Sequence, residues 1–116
     1  MNRPRSIREF LGDLDYLMGC CHLANRGDEE AISEIISSVS FVKQLLMASK
    51  RGLEKLQLFQ EASDLIHNVE VLVGREQYFD ADHQVLAFAR MLAEVSGEND
   101  RLRKMYGGHK TNPNVH

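Results

Sequence analysis

Tryptophan is absent from this chain of 116 residues, and proline and cysteine occur only twice each. No continuous apolar run approaches the ~18 residues that cross a bilayer as a helix. The first residues, "MNRPRSIREFLGDLD", turn acidic before any apolar segment develops. No secretory leader is expected from that pattern, so the chain reads as cytoplasmic with no membrane partner. Cys20 and Cys21 are adjacent and no second cysteine pair exists. This excludes a zinc ribbon, whose ligands come as two spaced pairs, and a disulfide-stapled scaffold. A surplus of positive charge is lacking as well: the formal net charge is −3, which argues against a general nucleic-acid binder. There is no G-x-S-x-G elbow and no glycine-rich phosphate loop, so neither acyl transfer nor nucleotide binding has a signal, and no cofactor is implied.

What is present is helical periodicity. Ser6 and Glu9 have the spacing of a capping box. Behind them Ile7, Phe10, Leu11, Leu14, Leu17, Met18 and Cys21 recur at spacings of three and four, the stripe of an amphipathic helix over about 6–25. Asn25 and Gly27 suit its end. Asp28, Glu29 and Glu30 sit where the positive end of a second helix favours acids. Ile32, Ile35, Ile36, Val39, Val42 and Leu46 then carry the second helix to about residue 50. So short a connection predicts an antiparallel N-terminal hairpin. Arg51 and Gly52 leave open whether 28–73 is one helix or two. The next stretch, Leu53 to Val73, reads as helical, although "VEVLV" within it also has the alternation of a short strand. After Gly74, "REQYFDAD" is expected as a connection, with Asp80 or Asp82 capping a last helix through Val85, Phe88, Ala89, Leu92 and Val95. Leu102, Met105 and Tyr106 extend that stripe. The expected fold is all-α: a small antiparallel bundle of about four helices in one domain, 6–106, with an N-terminal arm, 1–5, and a polar tail, 107–116.

Candidate chemistry is sparse. Cys20 and Cys21, consecutive on a helix, point about 100° apart and cannot easily chelate one ion. "GCCHL" therefore reads as the end of a helix, with Cys21 packed as a small hydrophobe. Two D-x-x-H spacings, Asp64/His67 and Asp80/His83, distantly evoke the E-x-x-H pairs of di-iron bundles. Aspartate is a short arm for that role, and Asp64 and His67 project away from the apolar stripe. A metal-dependent helical enzyme is thus a minor alternative, and no metal ligand or catalytic residue is assigned. Ser33, Ser37 and Ser40 lie on a polar helix side with no histidine tied to them.

The informative feature is surplus apolar surface. Ile32, Ile35, Ile36, Val39 and Leu46 define one face of the second helix, while Phe41, Leu45 and Ala48 lie near the reverse. Leu53 and Leu56 project away from Leu58, Ile66 and Val69. A helix apolar on two sides is central or shares one side with another chain. Phe41, Leu45, Ala48, Leu53 and Leu56 are accordingly the expected partner-binding residues. The expected function is a non-enzymatic, homodimeric regulator that masks another protein through helix faces. In general type the chain resembles small bacterial helical anti-activators, adaptors or secretion chaperones, without a motif that carries the comparison further. The main alternative is a nucleic-acid-associated transcriptional regulator touching phosphates through Arg3, Arg5 and Arg8 or Arg101, Arg103, Lys104 and Lys110.

Overall fold

A computed structural model describes residues 4–98. They form α1 (Ile7–Asn25), α2 (Glu29–Ala48), a short α3 (Lys50–Lys55), α4 (Phe59–Gly74) and α5 (Tyr78–Ser96). The fold is an all-α bundle with no strand among the described residues, and "VEVLV" lies within α4. The long helices make two hairpins, α1/α2 and α4/α5. Each is closed by three residues, 26–28 and 75–77. Helix α1 packs against α2 and α5, and α4 packs against α5 and α2, so each long helix has two long neighbours, while α3 lies against α2 and α4. Their shared centre holds Phe10, Leu14, Leu17, Val39, Val42, Leu53, Ile66, Val69, Val85 and Leu92 at zero or near-zero exposure.

The start of α1 is fastened as its sequence predicts. Ser6 Oγ accepts from Glu9 N–H at 3.0 Å while Glu9 Oε1 accepts from Ser6 N–H at 2.9 Å. Arg5, at the end of the N-terminal arm, is held in place. Arg5 donates its backbone N–H to Ala48 O at 3.0 Å, and its guanidinium grips Asp13 through two bonds of 2.6 and 3.2 Å. The proposed tail and the Leu102, Met105 and Tyr106 extension lie outside the described residues.

Two expectations about the middle of the chain are corrected. The stretch 28–73 is neither one helix nor two but three, because α2 stops at Ser49. There the buried hydroxyl bonds Leu45 O at 2.8 Å and competes with continuation of the helix. Gly52, a possible position for the break, lies inside α3. A Cβ there would sit 3.3 Å from Ile7 Cδ1, so glycine lets α3 lie against the start of α1. The second correction concerns α5, which begins directly at Tyr78. Neither Asp80 nor Asp82 caps it, and Asp80 sits in its first turn.

Four helix ends share one device. After α1, α3, α4 and α5, paired backbone bonds of the Schellman type reach back to the last turn, for example Gln77 N–H to Leu72 O at 2.8 Å and Glu76 N–H to Val73 O at 3.0 Å. The left-handed residue is glycine in two cases, Gly27 (φ 88°) and Gly97 (φ 79°). In the other two it is Gln57 (φ 60°) and Glu76 (φ 61°). Gly74, expected to end α4, is its last helical residue, and the left-handed position is Glu76.

Candidate functional site: the outer face of the first hairpin

Helix α2 is the most apolar element, yet only 28% of its most apolar stretch is buried. By length and composition alone it could cross a bilayer, a difference from the expectation that no segment would. Its buried residues, Ile35, Ser38, Val39, Val42 and Leu46, form one narrow stripe, as in an amphipathic bundle helix. Ile32 and Ile36, expected in the core-facing set, are instead 38% and 56% exposed. The stripe is narrow because α1 and α4 are the long helices that flank α2, and the remaining apolar side chains spill onto both its margins.

One margin faces α1. Phe41, half exposed, meets Tyr16 of α1 edge-to-face at a ring separation of 6.3 Å, and Tyr16 is equally exposed. The Tyr16 hydroxyl lies 3.2 Å from the Ser38 hydroxyl, which also accepts a long bond from the Cys20 thiol at 3.7 Å. These contacts give the buried Ser38 partners and fix the tilt of the tyrosine ring. Beyond the aromatic pair a cleft of about 240 Å³ opens, lined by Tyr16, Cys20, Leu23, Asp28, Glu30, Ala31, Glu34 and Ser38. The other margin carries Ile32, Ile36 and Met47.

Of the expected partner-binding residues, Phe41 and Ala48 are exposed on α2 and Leu45 is half-buried beside them. Leu53 is corrected: it is fully buried and belongs to the core, and Leu56 is half-buried against that core. The turn at 56–58, with Gln57 left-handed, breaks the helical phase between α3 and α4, so a projection carried from α4 back through residue 53 points Leu53 the wrong way. Tyr16 was missed in the reading of the sequence. Its signal is a large aromatic lying off the α1 stripe.

Reactive groups are few. Cys21 is fully buried, and burial above all, with Asp82 and Cys20 adding to it, pushes its thiol up to about 12. Asp64, His67, Asp80 and His83 are all exposed. Asp64 accepts from Gln60 at 3.0 Å, and the His83 ring lies on Phe79 with its Nδ1 3.2 Å from Phe79 O. Among the described residues no group of three or more His, Cys, Asp or Glu could hold a metal ion. Of the basic clusters, Arg5 is paired with Asp13, and Arg8 with Glu98 at 3.2 Å. Arg3, Arg101, Arg103, Lys104 and Lys110 lie outside the described residues. Compared with protein-family models, with curated proteins and with solved structures, the chain has no significant match.

Proposed function

We propose that the protein is a non-enzymatic binding module, a cytoplasmic regulator that engages another protein through the outer face of the α1/α2 hairpin and masks the surface it covers. The observation that carries this reading is the pairing of two half-exposed aromatics, Tyr16 of α1 and Phe41 of α2, on a hairpin whose second helix leaves most of its apolar residues unburied. Aromatic anchors beside a cleft are the usual centre of a protein interface. A homodimer needs a surface separate from the partner's, and the opposite margin of α2, with Ile32, Ile36 and Met47, supplies one. The nucleic-acid alternative loses support from the ion-paired state of Arg5 and Arg8.

The test is a photo-crosslinking amino acid placed at Phe41 in the native cell. A discrete protein adduct is expected, and it should disappear in a Tyr16→Asp background that remains folded. Adducts formed only at a control position such as Val95, on α5, would overturn the assignment of this face. The dimer is tested by sedimentation: Ile36→Asp should give a monomer, and a parent chain already monomeric at micromolar concentration would remove that part.

A further inference from the structure

We infer that the cleft between α1 and α2 seats a cationic amphipathic helix of the partner protein, with an apolar side chain in the cleft and lysine or arginine on its acidic rim. The inference rests on the binding role proposed for this face and adds the chemistry of what binds. Three observations point to it.

The first is charge. Asp28, Glu30 and Glu34 line the cleft, and no lysine, arginine or histidine is among its lining residues. Asp28 is engaged in capping Ala31 N–H at 2.9 Å, while Glu30 and Glu34 stand exposed on α2 without an ion-pair partner among the described residues. Unpaired like charges beside an apolar floor favour an incoming cation and repel an acidic surface.

The second is size. At about 240 Å³ the cleft falls below the roughly 300–1,000 Å³ of small-molecule sites, and suits one or two bulky side chains. Its floor of Cys20, Ala31 and Ser38 is built of small residues, while Tyr16 and Leu23 are exposed at its edge. Such a groove between two helices takes a third helix through one face.

The third is the aromatic wall. Tyr16 and Phe41 are 48% and 49% exposed, and aromatic rings at a surface attract ammonium and guanidinium groups. An occupant with alternating apolar and basic positions along one side meets the cleft, the rim and the rings together.

The probe is a labelled helical peptide of leucine and lysine, about five turns long, titrated against the full chain at physiological salt. Its leucine–glutamate and serine–lysine counterparts serve as controls. The leucine–lysine peptide is expected to bind about tenfold more tightly than either control, and to retain part of its affinity at high salt because the apolar contact is not screened. Glu30→Lys with Glu34→Lys should weaken it about tenfold, and the milder Glu30→Gln with Glu34→Gln should do so in part. Glu61→Lys with Asp64→Lys makes nearly the same charge change at a different groove, between α4 and α5, and should alter binding less than about twofold. Equal losses in the two lysine variants would reduce the effect to general acidity and overturn the inference. So would equal binding of the glutamate peptide, or self-association of the chain that Glu34→Lys abolishes. An acidic partner segment crosslinked at Phe41 would overturn this inference while leaving the binding role of the face intact; strong leucine–lysine binding with no crosslink at Phe41 would do the reverse.

Discussion

Leu53 and Phe41 look alike in the sequence, as apolar residues off the main stripe, and the structure gives them opposite surroundings. Leu53 is fully buried, so Leu53→Ala removes buried methyl groups and leaves a void. Leucine-to-alanine changes in cores cost roughly 2–5 kcal/mol. Helix α3 is a six-residue element bounded by turns, so it can relax inward, which argues for about 3 kcal/mol. Phe41 is 49% exposed. About half of the ~3 kcal/mol of a fully buried phenylalanine is then at stake, less what the alanine still buries. Its edge contact with Tyr16 adds up to about 1 kcal/mol. Phe41→Ala should therefore cost about 1–2 kcal/mol of folding stability, less than Leu53→Ala. In a domain of this size each kcal/mol lowers Tm by about 4–8 °C, so Leu53→Ala should show the clearly larger drop. Urea unfolding followed by circular dichroism measures both, with the slope m required to stay constant. In a crosslinking or binding assay below both transitions the ranking should invert, with Phe41→Ala losing the partner by about 2 kcal/mol and Leu53→Ala retaining it. Equal stability losses, or partner loss confined to Leu53→Ala, would refute the division between core and surface.

Other consequences can be checked singly. Glu76 holds a left-handed conformation that costs an L-residue about 1–2 kcal/mol. Glu76→Gly should therefore stabilise the chain by about 0.5–1 kcal/mol after the added freedom of the unfolded chain is discounted, read as a higher urea midpoint. A thiol reagent should modify Cys20 and spare Cys21 in the folded protein, since burial holds the Cys21 thiol up at about 12; two thiols reacting natively at one rate would contradict the packing of α1. Burial raises the Asp13 carboxyl above its ordinary value despite the opposing hydrogen bond and charge of Arg5. Its contribution is then fully present below the unfolded carboxyl value and lost as pH rises through the folded one. The stability of the parent relative to Asp13→Asn should fall as pH is raised through that interval, and a rise would show that Arg5 outweighs burial.

Much of this architecture is legible in the residues because local and tertiary preferences agree. Ser6 and Glu9 are a reciprocal cap that needs no distant partner, and the stripe from Phe10 to Cys21 faces one core throughout α1. Reading fails where a local feature has no composition signature. Gln57 and Glu76 occupy positions that normally advertise themselves as glycine, so the turn at 56–58 is silent in the sequence and the stretch from Leu53 reads as continuous. That error then propagates: with the turn unseen, the helical phase of α4 is carried back too far and Leu53 is assigned to the surface. Phe41 survives the same treatment because no break separates it from the α2 stripe.

The site was half legible for a related reason. Periodicity finds apolar residues that lie off a helix's own stripe, and so it found Phe41 and Leu45. It carries no information on which neighbouring helix stands beside them, and so it missed Tyr16, which is polar at one end and sits at an outward position of α1. The juxtaposition comes from the tight turn at 26–28, which sets α1 and α2 antiparallel with residues 16 and 41 at one level and residues 20 and 38 at the next. Given that register, the surplus on α2 follows from geometry. A bundle helix with two long neighbours buries a limited arc, and α2 carries apolar side chains over a wider arc than α1, α4 and the short α3 cover. Neither margin is needed for the core, since Ile35, Val39, Val42 and Leu46 already complete it. Apolar surface that the fold does not use, set beside Glu30 and Glu34, which have no ion-pair partner among the described residues, is the combination that the proposed cationic helix would complement.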